Sequence, residues 1–346
     1  MAPTRTLTIL AFAFSLAACS DDPAQSVADL GIADAGQLDS SVMDSSSSDA
    51  TTDADSVDAS PTDAAMSDGT VGDAAMIELC SSGSCAPRIF LLNTVALTGP
   101  DEEGRVPGFN LDGSEAIVCG QVDGMSPPPD NASGVDNSIG PTLGELVGDE
   151  MQNAIDDGSN LVVVQADGVD SLVNDSAVRI TLWIARTPSG ATLAHEGSGR
   201  LSPGQTFDTD ALSYVDVAHT MAVYAFSSAS IVGGRISATG GEALVFMPLM
   251  GTMLTTKLHE AQFRANIADG TLTQGVLGGA FDNEEFMTEF ASHPELSELR
   301  TVFEATITNF SDMHPNIGGT MCSYTSIAVT FDGVNAVLSG TVVGGD

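Results

Sequence analysis

The stretch AVRITLWIAR, residues 177–186, places a β-branched residue or a leucine at every second position. A strand with one buried face has this period of two, because successive side chains point to opposite sides of a sheet. Val178, Ile180, Leu182 and Ile184 therefore share one face. The stretch predicts a half-buried β-strand, and neighbouring stretches of the sequence predict further strands.

Short apolar runs rich in Val, Ile and Leu occur on both sides of this stretch, separated by Gly, Asp and Asn. They lie at residues 88–97, 116–122, 160–168, 220–229, 242–250, 252–267, 271–281 and 324–343. The last run predicts a closing hairpin around Asp332 and Gly333. Many short strands with regular turn signals are typical of an antiparallel β-sandwich or a barrel-like head.

Two or three helices are expected to pack on this mainly β head. Residues 142–158 carry an apolar face at helical spacing, formed by Leu143, Val147, Met151 and Ile155. Residues 292–306 begin with a capping box, Ser292 with Glu295. A shorter helix is expected near 283–291. Strands and helices do not alternate, so a doubly wound parallel sheet is not expected.

The N-terminus has the order of a secretory signal. Arg5 precedes the apolar run LTILAFAFSLAA at 7–18, which is shorter than the roughly 20 residues of a membrane-spanning helix. Leu16-Ala17-Ala18-Cys19 then resembles the cleavage site of bacterial lipoproteins. The resemblance implies that residues 1–18 are removed and that Cys19 carries lipid, which anchors the protein to a membrane. Ser20 favours the outer membrane by the same analogy.

Residues 19–75 predict a disordered acidic stalk, followed by a globular head at 76–346. Between residues 20 and 75 there is no Lys, Arg, Trp, Tyr or Phe, and Asp, Ser, Ala and Thr dominate. Such a segment cannot bury enough apolar surface to offset its ordering entropy. The whole chain has 47 acidic and 10 basic residues and a formal charge of −37. This balance argues against a nucleic-acid partner.

Four cysteines remain once Cys19 is assigned to the lipid. An even number in an exported chain predicts disulfides, and four cysteines allow three connectivities. We expect Cys80 to pair with Cys85 and Cys119 with Cys322. The second bond would join the first strands of the head to the last.

Oxygen-bearing side chains concentrate in residues 108–137, among glycines that permit tight turns. The candidate ligands for one Ca²⁺ ion are Asn110, Asp112, Asp123, Asp130, Asp136 and Asn137. The competing interpretation is that Asp, Asn and Gly simply build turns. No other cofactor is expected.

The sequence contains none of the common catalytic motifs considered below. The five histidines form no HExxH pair, and the chain has no G-x-S-x-G elbow, no Walker loop and no dinucleotide fingerprint. Acidic pairs are present, such as Glu284 with Glu285 and Asp208 with Asp210. They leave an extracytoplasmic hydrolase open as an alternative, and the candidate calcium ligands leave open a calcium-dependent adhesion module.

Several stretches of the head, in order along the chain, resemble an uncharacterised group of lipoproteins from myxobacteria and related delta-proteobacteria. They are GFNLDG (108–113), CGQVDG (119–124), GVDNSIG (134–140), GRLSPGQTFDTD (199–210), GTLTQGVLGGAF (270–281) and CSYTSIAVTFDGVNAVLSG (322–340). The resemblance implies a surface lipoprotein with a β-rich head and adds no chemistry. We therefore expect a lipid-anchored cell-envelope protein with a non-enzymatic binding or structural head. Whether its ligand is a protein or a glycan stays open.

Overall fold

Strands make up most of the regular structure in the computed structural model, which describes residues 86–97, 99, 105–113, 134–315 and 322–344. The strands are β1 (Arg88–Ala96), β2 (Leu161–Asp167), β3 (Asn174–Arg186), β4 (Thr206–Asp210), β5 (Ser228–Val232), β6 (Arg235–Leu249), β7 (Thr252–Ala268), β8 (Thr271–Asp282), β9 (Met313–Pro315), β10 (Cys322–Asn335) and β11 (Val337–Val343). The helices are α1 (Gly140–Asp156), α2 (Asn283–Ala291) and α3 (Arg300–Phe310), with short 3₁₀ helices at Ala211–Ser213 and Pro294–Leu299. A mainly β head with packed helices is confirmed.

Eight strands close into a ring. They pair in the order β1, β2, β3, β5, β6, β7, β8 and β10, and β10 pairs with β1; each of these pairings is antiparallel. The ring closes between β3 and β5, where Asp175 lies opposite Ile231 and Val178 opposite Ala229. The sequence left a sandwich and a barrel-like head as alternatives. The closed ring shows that the barrel-like arrangement is formed.

The predicted hairpin at Asp332 and Gly333 is wrong. β10 continues through both residues, and its pairing with β8 shifts register there. A β-carbon on Gly333 would lie 3.3 Å from the carbonyl oxygen of Leu91. This glycine therefore permits close approach of the neighbouring strand and does not form a turn. After Ala336 the chain leaves the ring, and β11 pairs in parallel with β4.

Two other expectations need correction. Most of the strand expected at 220–229 forms only isolated bridges, and β5 begins at Ser228. The expected capping box is also absent, because the Ser292 hydroxyl donates to the carbonyl of Glu289 (2.7 Å) at the end of α2. The Glu295 carboxylate instead accepts from the hydroxyl of Thr252 (3.0 Å). Ser292 is thus engaged by the end of the preceding helix, and Glu295 by a tertiary contact with β7.

The interior of the ring is filled by side chains. Phe263 stacks on Phe331 with ring centroids 5.2 Å apart, and Phe226 lies 6.1 Å from Phe263. The predicted apolar face of α1 is confirmed, since its four residues are all buried: Leu143, Val147 and Met151 in this core, and Ile155 in a second, smaller cluster. A cavity of about 40 Å³ remains beside Met151 and Val245. It is far smaller than the roughly 300–1,000 Å³ of typical ligand pockets.

A second, smaller apolar cluster covers the outside of β1, β2 and β3. Leu91, Leu161 and Val163 pack there against Leu201 and Phe207, which belong to the segment leading into β4 and to β4 itself. This part of the sheet therefore has core on both faces, and its outer surface is not available to a ligand.

Some predictions lie outside the described residues. They are the signal peptide with Cys19, the stalk, the strand at 116–122, and Cys80, Cys85 and Cys119. Cys322, the first residue of β10, is disulfide-bonded. Its partner is outside the described residues, so the pairing with Cys119 stays a prediction.

Candidate functional site on the outer face of the ring

The predicted calcium region lies partly against the outer face of the ring. Phe109 pairs with Asp136 through an isolated antiparallel bridge, and Asn110 and Asp112 lie beside it. Asp123 and Asp130 are outside the described residues. Two of the six candidate ligands therefore cannot be placed, and the calcium site stays a prediction.

Asp136 and Asn137 have structural partners. The Asp136 carboxylate accepts hydrogen bonds from the backbone N–H groups of Leu111 and Asp112. The Asn137 amide donates to the carbonyl of Pro107 (2.7 Å) and accepts from the N–H of Ala328 on β10 (3.0 Å). Both side chains therefore tie the segment 107–112 in place. Within the described residues, no group of three or more His, Cys, Asp or Glu side chains is arranged to hold a metal ion.

Asp312 is a buried carboxyl group that the sequence pattern did not indicate. Its side chain accepts from both the N–H (2.8 Å) and the hydroxyl of Ser326 on β10. The pKa of Asp312 is raised to about 7, mainly by burial; the nearby charge of Asp136 acts in the same direction, and the bonds from Ser326 oppose the shift. Asp312 is only 4% exposed, so it acts as a structural clamp.

The acidic pair Asp208 and Asp210 also has structural roles. Asp210 is 5% exposed at its side chain, pairs with Arg186 (2.6 Å), and caps the short helix after β4 through the N–H of Leu212. Asp208 accepts from the hydroxyl of Ser339 on β11 (2.6 Å). These two carboxylates hold β4 to β3 and β11, and neither faces an open cleft.

His259 lies between two carboxylates on the outer surface. Its Nδ1 is 3.8 Å from Glu242, and its Nε2 is 3.6 Å from Glu285, one of the predicted acidic pair. The other member, Glu284, donates its backbone N–H to the capping carboxylate of Asp282. Because Glu242 and Glu285 contact opposite nitrogens of one ring, they do not converge on a single ion.

An open groove of about 970 Å³ lies between α1 and the outer side of β1, β8 and β10. The side of α1 that faces it carries Gly144, Gly148 and Gln152, four residues apart on one helix face. A β-carbon on Gly148 would have no heavy atom within 4 Å. The missing side chain at this position therefore leaves the groove open.

The groove has an apolar floor and polar walls. Val95, Leu97 and Val276 contribute apolar surface, and the polar lining includes Thr94, Gln152, Asn153, Gln274 and Asp332. Asp332 is held by the hydroxyl of Thr94 (3.3 Å) and the N–H of Gln274 (3.0 Å). Gln152 accepts from the N–H of Val95 (3.0 Å) and fixes α1 to β1. Fixed polar groups over an apolar floor are the usual composition of a ligand site.

One feature of the sequence could have indicated this groove. Two glycines four residues apart in an otherwise amphipathic helix leave one helix face without side chains, and a mid-helix glycine carries a stability cost. The groove-lining residues of β8 and β10 carried no such signal, because their approach to α1 depends on closure of the ring.

A second exposed feature is the turn formed by residues 211–223. Val217 is 98% exposed, and Leu212, Val215 and Met221 are also exposed. Asp216 holds the turn by accepting from the N–H groups of Thr220 and Met221 and from the Thr220 hydroxyl. These bonds lower the pKa of Asp216. The turn is therefore ordered although its apolar side chains contribute little to the core.

No described helix has the length and apolarity needed to cross a membrane. No protein-family model, no curated protein and no solved structure matches the chain. The geometry of the head and the N-terminal sequence are therefore the two sources from which its function is inferred.

Proposed function

We propose that the protein is a lipid-anchored component of the cell envelope, located in the outer membrane, whose head binds a small polar ligand without transforming it. The N-terminal order of Arg5, an apolar run and Leu16-Ala17-Ala18-Cys19 supports the anchor. Three acyl chains on Cys19, which the lipoprotein resemblance implies, would give stable attachment, because one chain alone binds only marginally.

The groove beside α1 is the observation that carries the binding role. Its volume of about 970 Å³ suits a small organic ligand. The interior of the ring, where the cavity beside Met151 is only about 40 Å³, does not. A ligand would therefore bind on the outside of a rigid scaffold.

The acidic side chains support binding over catalysis. A pair of catalytic carboxyl groups must face a common substrate, whereas Asp208 and Asp210 are bonded to Ser339 and Arg186. Asp312, whose pKa is raised to about 7, mainly by burial, is enclosed by its own hydrogen bonds. In the groove, Asp332 is likewise engaged by Thr94 and Gln274.

Native mass spectrometry of the protein purified from its own envelope tests the binding role. We expect a fraction of the wild-type protein to carry a retained small molecule. Gly148→Phe should abolish this, because the new ring would occupy the groove, while Gly148→Ala should retain the ligand. Equal retention by the Phe and Ala variants would place the ligand elsewhere.

The anchor is tested separately by fractionating cells and measuring the mass of the mature N-terminus. We expect cleavage before Cys19, an acylated cysteine and recovery with the membranes. Cys19→Ser should release the protein from the membrane fraction. A free thiol at Cys19, or an N-terminus upstream of it, would contradict the anchor without bearing on the groove.

A further inference from the structure

Basic side chains are scarce in this chain, and most of those described have carboxylate partners. The ion-paired ones are Arg88 with Asp269, Arg179 with Asp167, Arg186 with Asp210, Arg200 with Asp156, and Lys257 with Glu242. With 47 acidic and 10 basic residues in the chain, a carboxylate is available for every cation. Two adjacent cations that lack one therefore need an explanation.

Arg235 and Arg264 are two such cations, and they are neighbours on the outer face of the ring. Among the described residues, no carboxylate lies within 4 Å of either guanidinium. In the pairing of β6 with β7, Arg235 is opposite Asn266 and Ser237 is opposite Arg264. The two arginines are thus diagonal neighbours, whose long side chains reach each other across adjacent strands.

Arg264 is held in an enclosed position. Its guanidinium carbon lies 4.8 Å from the centre of the Phe109 ring, a distance suited to a cation–π contact. Its Nε is buried and has no hydrogen-bond partner among the described residues. Burial lowers the pKa of Arg264, and the charge of Arg235 lowers it further. The protein therefore keeps a partly desolvated positive charge beside another positive charge, an unfavourable arrangement without a counter-ion.

Further polar side chains border the arginine pair. Asn266 donates its amide to the Gln274 carbonyl oxygen (2.8 Å), which leaves the Gln274 NH₂ group to donate elsewhere. The Ser237 side chain is on the same face as Arg264 and is exposed. Guanidinium, amide and hydroxyl donors thus gather at one place.

We propose that Arg235 and Arg264 form a binding seat for an oxyanion, namely the phosphate, sulfate or carboxylate group of a small ligand. Guanidinium groups present N–H donors in a planar fork that matches such oxygens. An oxyanion would supply the charge that no described carboxylate provides and would accept from the terminal NH₂ groups of the two guanidiniums. Phe109 supports the guanidinium plane from the other side.

The seat adjoins the groove described above. Gln274 and Val276 line that groove, while Gln274 is bonded to Asn266 and Val276 lies opposite Arg264. The next step rests on the proposed binding role of the groove. Its ligand would be a polar molecule whose oxyanion group occupies the arginine seat. The seat itself does not depend on the lipid anchor.

Thermal unfolding of the mature protein in increasing inorganic phosphate, with ionic strength held constant by sodium chloride, tests the seat. We expect a saturable rise in Tm for the wild type. Arg264→Gln should weaken phosphate binding by at least about tenfold, the loss expected for one charge-assisted contact. Arg264→Lys should keep part of the affinity. Arg235→Gln, at an exposed position that folding does not require, provides a second test.

Arg300→Gln is the matched control. Arg300 is also exposed and has no described carboxylate within 4 Å, but it lies on α3 and has no arginine opposite it on a neighbouring strand. This variant should bind phosphate like the wild type. The same Tm rise in wild type, Arg264→Gln and Arg235→Gln would overturn the seat. An equal loss in Arg300→Gln would also overturn it, since binding would then follow overall charge.

A sugar phosphate separates the two sources of the oxyanion. If glucose 6-phosphate binds more tightly than inorganic phosphate to the wild type but not to Gly148→Phe, the seat serves a ligand that occupies the groove. If both bind equally to both proteins, the seat holds a free ion, and the extension to the groove ligand fails. If the groove binds no ligand but the seat is real, inorganic phosphate should still bind Gly148→Phe as it binds the wild type.

Discussion

The two faces of β7 carry different kinds of side chain. Those that point into the ring and those that point out of it differ in size, polarity and role. Leu254, Leu258 and Phe263 are buried in the common core. Lys257 and Arg264 point outward, one paired with Glu242 and the other stacked on Phe109. The inner face of β7 therefore contributes stability, and its outer face carries the charged groups.

A bulge preserves this separation along the strand. The buried positions change phase between Leu258 and Ala261, and Glu260 between them has a positive φ of 52°. An extra residue of this kind resets which side chains point inward. Without it, Phe263 would point to solvent and Arg264 into the core. Inner-face substitutions should therefore cost the most stability and outer-face ones the least.

The largest effect is expected from Phe263→Ala on the inner face. Phe263 is 1% exposed and contacts two other rings, Phe226 and Phe331. Its loss should lower the free energy of unfolding by about 3–5 kcal/mol. Urea denaturation checks this, with Val217→Ala on the exposed turn as a control that should change stability by less than about 0.5 kcal/mol. Similar costs for both would contradict a packed interior.

Asp312 differs from Lys257 and Arg264, because it is buried although it lies on the outer side of β10. Its pKa is raised by burial from 3.8 to about 7, so between these values the folded protein holds a proton that the unfolded chain has lost. The stability from this group is complete below the unfolded pKa and disappears as pH rises through the folded pKa. Between pH values below the unfolded pKa and above the folded pKa, this group changes the free energy of unfolding by about 4 kcal/mol.

Asp312→Asn removes this titration while keeping the shape of the side chain. Urea denaturation of both proteins between pH 4 and pH 8 should show wild-type stability falling relative to the variant as pH rises. If the difference between the two proteins stays constant over that range, the carboxyl group is not buried as described.

An intermediate effect is expected for the ion pair of Arg186 with Asp210. Arg186→Gln would leave the buried Asp210 carboxylate without its 2.6 Å partner, at a cost of about 1–3 kcal/mol. Arg179→Gln is the matched control, because Arg179 is 58% exposed and 3.4 Å from Asp167. It should cost less than about 1 kcal/mol. Guanidinium chloride would screen the ion pairs, so urea is the suitable denaturant. Equal losses would show that burial of Asp210 does not decide the strength of its pair.

The smallest effect is expected from Gly148→Ala in the groove. Gly148→Ala should raise stability by about 0.5–1 kcal/mol, because alanine favours the helix and a β-carbon there would contact nothing. Gly144→Ala should lower stability, since a β-carbon there would collide with the carbonyl of Leu97. Differential scanning calorimetry of both variants checks the pair. A loss of stability in Gly148→Ala would show that the groove is occupied by protein.

Much of the fold could be predicted from local patterns. The period of two in residues 177–186 lies within β3, and the four apolar residues of α1 are buried as expected. Closure of the ring could not be predicted this way, because Asp175 and Ile231 pair across more than 50 residues. The expected capping box also failed, because Ser292 and Glu295 bond to Glu289 and Thr252 instead.

The candidate site was less predictable than the fold. The sequence drew attention to Asp136 and Asn137, which serve to hold the segment 107–112 in place. Arg235 and Arg264 gave no spacing signal, since they are 29 positions apart and meet only through the pairing of β6 with β7. Whether an arginine has a carboxylate partner among the described residues can be judged only from the positions of those carboxylates in the fold.

A crystal structure of the mature protein grown with phosphate would test most directly the claim that the ring is a filled scaffold and that ligands bind outside it. We predict a phosphate ion bridging the guanidinium groups of Arg235 and Arg264, above Phe109, with only side chains inside the ring. Phosphate or another ligand enclosed by the ring, with the two arginines paired to carboxylates, would contradict the account.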